Sequence, residues 1–223
     1  MCTIVFDLDG TLVDTAPDLI HTLNLVLTHE GLPAIPYAAA RNLIGGGAKI
    51  MIERALAAEG RDASAAEMDR LYAAFIAYYS EHIADRSRPF PGLERALDDL
   101  AEAGLTLAIC TNKLEWLSLR LLKALNLTER FAAICGPDTF GVTKPDPEIF
   151  WQTVRRAGGA PGRAIMIGDS KTDIHTARAA RVPVVAVDFG YTDVPIAQLE
   201  PDRIISSFLD LPEAIGDLLA SKP

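Results

Sequence analysis

The sequence predicts a doubly wound α/β fold, a parallel sheet with helices on both faces, interrupted early by an all-helical insertion. Two observations predict the sheet. Short runs of β-branched or otherwise apolar residues recur, and amphipathic stretches at helical spacing separate them. A third predicts the insertion: residues 15–89 hold at least three helical patterns and no convincing strand. With 223 residues, the chain has room for one large domain or one domain carrying an insertion, at roughly 100–200 residues each.

In chain order, Thr3–Leu8 opens as a buried strand, with apolar residues on both faces as parallel sheets require. The insertion follows. Thr15-x-x-Asp18 and Ser64-x-x-Glu67 read as capping boxes or near variants. Ala48, Met51, Ile52, Ala55 and Leu56 form one apolar stripe; Met68, Leu71, Tyr72, Phe75, Tyr79 and Ile83 form another. The chain re-enters the sheet near Pro89-Phe90-Pro91-Gly92. That gives a core of 1–14 plus 90–223 and a helical domain of 15–89. Leu105–Cys110, Ala132–Cys135, Ala164–Ile167 and Val182–Val187 supply further strands. Leu114, Leu117, Leu121, Leu122 and Leu125 mark a helix, and another starts at Asp146-Pro147, proline being favoured at the first helical position. Phe208–Leu219 closes the sheet domain as a last helix.

Composition removes several functions. Apolar residues make up 49% of the chain and charged residues 23%, so it is not disordered, and a net charge of −9 repels nucleic acid and anionic membrane over most of the surface. Three scattered cysteines suit neither a disulfide framework nor a zinc knuckle, and the reducing cytoplasm is the expected home. Asp7 and Asp9 interrupt the first apolar run, so no signal peptide is expected; no uncharged apolar stretch is long enough for a membrane span.

The chemistry sits at strand ends, where open α/β sheets bind ligands. The first strand runs into Asp7-Leu8-Asp9-Gly10-Thr11, and residues two apart on a strand share a face. Two such carboxylates repel unless a cation or a proton lies between them; the plainer reading is an Asp-Gly turn with solvated acids. Thr111-Asn112-Lys113 ends the second main strand, either as an anion cradle of hydroxyl, amide and helix amides or as an ordinary N-cap. Lys144, before a rigid proline, could offset a phosphate oxygen, or simply be solvated. Gly168-Asp169-Ser170-Lys171-Thr172-Asp173 places two acids at one crevice, suited to Mg²⁺, although Ser170-x-x-Asp173 is also a capping box.

Taken together, D-x-D-G-T at 7–11, T-N at 111–112, Lys144 and G-D-x-x-x-D at 168–173 resemble the haloacid dehalogenase superfamily, in its magnesium-dependent phosphatase branch. The helical insertion resembles that superfamily's cap, on a Rossmann-like core. The resemblance implies Asp7 as nucleophile, Asp9 as acid and base, Thr11 positioning Asp9, Thr111 and Asn112 on the phosphoryl group, and Lys144 offsetting charge. It implies Mg²⁺ on Asp7, the Asp9 carbonyl, Asp169 and Asp173. The glycine loop Gly45-Gly46-Gly47, Asp14–Leu19 and Phe189-Gly190-Tyr191 further resemble phosphoglycolate phosphatases, implying a small phosphorylated metabolite as substrate and a monomer or homodimer. Arg41 and Lys49 are candidates for a substrate carboxylate, each otherwise a solvated helix charge. Arg181 departs from the pattern, standing where glycine usually ends the helix. Rival readings are a phosphatase for another small organophosphate or pyrophosphate, and a β-phosphoglucomutase-like mutase, for which His21 falls slightly late. An inert interaction module is a third, against which all four acids and Lys144 are present.

Overall fold

The computed structural model describes residues 2–192 and 194–220. Strand β1 (Thr3–Phe6) is fully buried and leads to a two-residue strand β2 (Val13–Asp14). Helices α1 (Ala16–His29), α2 (Tyr37–Ala40), α3 (Ala48–Ala58) and α4 (Ala65–Glu81) follow. Strand β3 (Arg88–Pro89) pairs antiparallel with β2, Val13 opposite Pro89, so the chain leaves and re-enters the core through one short ribbon. Then come α5 (Leu93–Glu102), β4 (Thr106–Cys110), α6 (Glu115–Ala124), β5 (Ala133–Cys135), α7 (Pro137–Phe140) and α8 (Pro147–Arg156). The chain ends with β6 (Ala164–Gly168), α9 (Lys171–Ala180), β7 (Val184–Val187), β8 (Arg203–Ile205) and α10 (Leu211–Ala220).

Six strands form a parallel sheet in the order β5-β4-β1-β6-β7-β8. Because β1 lies at the centre, the chain turns to one side of it for β4 and β5, then to the other for β6 to β8. The crevice at that reversal opens beyond the carboxyl ends of β4, β1 and β6. Side chains alternate between two apolar layers, as the strand period demands. Val5, Met166 and Val184 pack under α8 and α9 with Phe150 and Ile174, whereas Ile4, Phe6, Ile109 and Ile167 pack under α5 and α10 with Leu97 and Ile215. The second layer continues into the insertion, through Leu23, Met51, Ile52, Phe75 and Tyr79.

The expected strands all form; four are one or two residues shorter at one end, and β6 runs one residue further, to Gly168. Ser64 caps α4 by accepting from Glu67 N, and Asp146 caps α8 by accepting from Glu148 N. Thr15-x-x-Asp18 is not a capping box: the Thr15 side chain caps nothing. Asp18, 3% exposed, instead accepts from Arg86 N, Ser87 N and Ser87 Oγ at 2.7–3.1 Å. This carboxylate fastens the start of α1 to the returning chain, across 69 residues, and satisfies donors that would otherwise be buried unpaired.

Arg181 closes α9 in the left-handed region at φ 59°. A side chain there costs roughly 1–2 kcal/mol that glycine avoids. Arg181→Gly is therefore expected to raise stability by about 0.5–1 kcal/mol, tempered by glycine's greater unfolded-state entropy. Denaturant titration checks this; an unchanged or lowered midpoint would mean the arginine makes a compensating contact.

Candidate active site

Asp7 follows β1 directly, Asp169 follows β6, and Asp173 lies in the first turn of α9. They bring one carboxylate oxygen each within 4.8 Å of the others, and all three are buried. Glycines make this approach possible. A Cβ on Gly190 would fall 2.2 Å from Asp169 Cβ, one on Gly168 2.3 Å from Asp173 Cβ, and one on Gly10 2.4 Å from Asp169 Oδ2. No side chain fits at any of the three without moving an acid.

Each acid is held by named donors. Asp169 accepts from Thr11 Oγ1 at 3.1 Å and from Tyr191 N at 2.6 Å. The Thr11 hydroxyl thus serves Asp169, correcting the expectation that it positions Asp9. Asp173 closes a capping box with Ser170, accepting at Oδ2 from Ser170 N and Oγ, while its Oδ1 takes Lys144 Nζ at 2.6 Å. Capping and site support therefore fall to different oxygens of one residue. Lys144 is not solvated: at 4% exposure it spans Asp173 and Asp7, whose Oδ1 lies 2.9 Å from Nζ.

The electrostatics follow from burial. Desolvation pushes the Asp7 carboxyl up to about 6, with Asp173 and Asp9 adding to it against Lys144. Asp169 rises to about 8, again mainly by burial, then through Asp173 and Asp7. Four carboxylates (7, 9, 169 and 173) face two ammoniums (113 and 144), leaving a net charge of −2 when all are ionised. A phosphate dianion would be repelled from that. The three clustered oxygens are hard donors suited to a divalent cation such as Mg²⁺, whose charge would cancel that excess.

A cavity of about 260 Å³ opens above the acids. Asp7, Asp9, Thr111, Asn112 and Lys113 form its floor; Gly45–Gly47, Met51, Tyr72, Phe75 and Tyr79 of the insertion form its roof. Gly45 and Gly47 take φ of 112° and 88°, and a Cβ on Gly47 would meet Asn112 O at 3.2 Å, so glycine lets the roof loop approach the floor.

Other expected residues stand differently. Thr111, 1% exposed, lies in the floor with Oγ1 accepting from Lys113 N. Asn112 spends both ends of its amide on the Lys144 backbone, Nδ2 to Lys144 O and Oδ1 from Lys144 N, so it positions the lysine loop. Arg41 donates to Gly190 O at 3.0 Å and lies over the Tyr191 ring, away from the cavity lining. Lys49 reaches the rim but pairs with Asp69 at 2.9 Å, both largely exposed. His21 meets the Tyr78 hydroxyl at 3.3 Å and does not line the cavity. Two residues were not foreseen. Lys113 holds both Asp9 oxygens, at 2.8 and 3.0 Å. Tyr191 ties Asp169 to the start of α1, its hydroxyl donating to Asp14 and accepting from Ala16 N.

Acids gathered for a cation, under a roof that shields a small anion, are the equipment of hydrolases acting on phosphate esters. A family profile of haloacid dehalogenase-like hydrolases matches residues 4–187. The chain belongs to that family. It is 53% identical to a phosphoglycolate phosphatase of Mesorhizobium japonicum, over 92% of this chain and 90% of that one. It is 48% identical to a phosphoglycolate phosphatase of Agrobacterium fabrum, over 98% and 94%. A crystal structure of a "predicted phosphoglycolate phosphatase" from Haemophilus somnus superposes with a TM-score of 0.89 at 31% identity, covering 96% of this chain and 98% of that one. Family and relatives together place the chain among the phosphoric monoester hydrolases. No helix among the described residues is long and apolar enough to cross a membrane.

Proposed function

We propose that the protein hydrolyses 2-phosphoglycolate to glycolate and phosphate through an aspartyl-phosphate on Asp7. The observation that carries this reading is the Asp7–Asp169–Asp173 cluster, bridged by buried Lys144 and opening into a small cavity roofed by the glycine loop. The relatives' shared substrate supports the choice of ester. The division into a core of 1–14 plus 90–223 and a cap of 15–89 belongs to the same reading.

Asp7 attacks phosphorus, forming an acyl phosphate as the bond to the leaving oxygen breaks. Asp9, two residues on and at the cavity floor, gives that oxygen its proton, then takes one from the water that cleaves the acyl phosphate. Lys144 keeps Asp7 fixed and offsets charge as it grows on the phosphoryl oxygens. Thr111 contributes its hydroxyl at the floor, and Asn112 holds the Lys144 loop in place. Asp7, Asp169 and Asp173, with the Asp9 carbonyl, would hold Mg²⁺, which supplies the positive charge that lets two anions meet. Apolar roof residues exclude water that would weaken these attractions.

Phosphate release from a panel of monoesters, with and without Mg²⁺, tests this. The panel holds 2-phosphoglycolate, glucose 1- and 6-phosphate, pyrophosphate and nucleotides. The expected result is at least a tenfold lead for 2-phosphoglycolate in kcat/KM, dependent on Mg²⁺. Metal-dependent turnover led by another ester would keep the chemistry and remove the substrate. Silence on every ester would remove both.

A further inference from the structure

The proposed reaction leaves one buried cation without a part. Lys113 follows β4, its side chain only 5% exposed, with Nζ on both Asp9 oxygens and 4.7 Å from the centroid of the Tyr79 ring. It therefore lies between the core's Asp9 and α4 of the insertion. Its position is fixed by the backbone: Lys113 N donates to Thr111 Oγ1, and a Cβ on Gly136 would come within 2.3 Å of Lys113 O.

A substrate with a carboxylate beside its phosphate brings a second anion into the same small cavity. That anion cannot stay unpaired against an apolar wall of Met51, Phe75 and Ile76. Among the described residues lining the cavity, the cations are Lys49 and Lys113. Lys49 lies at the rim, more than half exposed and paired with Asp69. Lys113 is buried in the floor, beside Asp9 and Thr111.

We infer that Lys113 is a specificity-determining residue, reading a carboxylate on the leaving group and in the same movement releasing Asp9. This rests on the reading of Asp9 as the acid and of the substrate as a carboxylated ester. Lys113 occupies both Asp9 oxygens, so the acid is turned to the lysine. An ammonium carries three donors. Taking up the substrate carboxylate draws one or more of them away from Asp9 and frees a carboxyl oxygen to face the ester oxygen. An ester of the same length without the carboxylate leaves the Lys113–Asp9 pair closed. Lys113 thus makes the second anion a condition for turnover as well as for binding.

The test compares kcat and KM for 2-phosphoglycolate and for ethyl phosphate, which replaces the carboxylate by a methyl group, in wild type and Lys113→Met. The expected wild-type preference is at least about 100-fold in kcat/KM, a size suited to a buried charged hydrogen bond. Lys113→Met should bring the ratio below about tenfold, with both kcat and KM for 2-phosphoglycolate affected. If the substitution slows both esters by one factor and the ratio stays at the wild-type value, Lys113 only supports Asp9 and the inference falls while the substrate reading stands. A wild type that does not discriminate takes down the substrate reading and this inference together. Thermal melts identify a Met variant that does not fold; Lys113→Gln then carries the same comparison.

Discussion

Asp7→Asn is expected to abolish turnover and yet to make the metal-free protein more stable at neutral pH. On the proposed role of Asp7 as the nucleophile, the substitution lowers kcat by about 10⁴-fold or more. The gain in stability has a separate cause. Asp7 is buried and its carboxyl is pushed up to about 6, so holding it ionised above that pH is unfavourable, by roughly 3 kcal/mol at most for such a shift. Asparagine keeps the shape and removes the charge. Lys144 does not lose its pairing, because Asp173 Oδ1 remains 2.6 Å from Nζ. A gain of about 1–3 kcal/mol is expected at pH 8 in EDTA, read by denaturant titration beside single-turnover phosphate release. An Asn variant less stable than wild type would show that the Lys144 pair outweighs the burial of Asp7.

The acids of the site were legible because their positions are dictated by the sheet. Asp7, Thr111 and Asp169 each follow an apolar run that can only be a buried strand, and the strand order then converges them. Lys144 was legible as a motif but not as a buried group. Its burial comes from Asp7 and Asp173, neither of them near it in sequence. The pairing of Lys113 with Asp9 escaped notice for the same reason. Beside Thr111 and Asn112 the lysine reads only as part of an anion cradle or an N-cap, and the approach of Asp9 and Tyr79 gives it a buried place of its own.

Local patterns misled where a distant partner competed for the same atoms. Thr15-x-x-Asp18 has the spacing of a capping box, but two backbone N–H groups and a hydroxyl at 86–87 take the Asp18 carboxylate. Arg41 and Lys49 carry the right charge for a carboxylate, and loop carbonyls at 189–190 and Asp69 engage them first. Strand β8 gave no signal because a three-residue edge strand with two exposed positions has little apolar pattern to show. The β2–β3 ribbon is shorter still, at two residues a strand.

The metal-free protein is expected to lose stability as pH rises from about 4 to 8, and Mg²⁺ to restore most of that loss at the alkaline end. Asp7 at about 6 and Asp169 at about 8 both lie above the ordinary value of 3.8. Between those limits the folded protein binds more protons than the unfolded chain, so stability must fall with rising pH. The contribution is fully present below the unfolded value and disappears as pH passes through the folded ones. Glu30, which Arg70 holds well below the carboxylate range, acts with the opposite sign but only at pH under its ordinary value of 4.5. A divalent cation at the proposed ligands would bind the same oxygens as the protons, and so compete best where protons are scarce. At a concentration about 100 times its dissociation constant, stabilisation approaches 2.7 kcal/mol, roughly 5–10 °C in a chain of this size. Melts at pH 5, 6.5 and 8, in EDTA and in Mg²⁺, should show a shift that grows with pH. A shift of equal size at pH 5 and pH 8 would mean that the cation binds elsewhere. A metal-free protein most stable at pH 8 would mean that the buried acids are already ionised without cost.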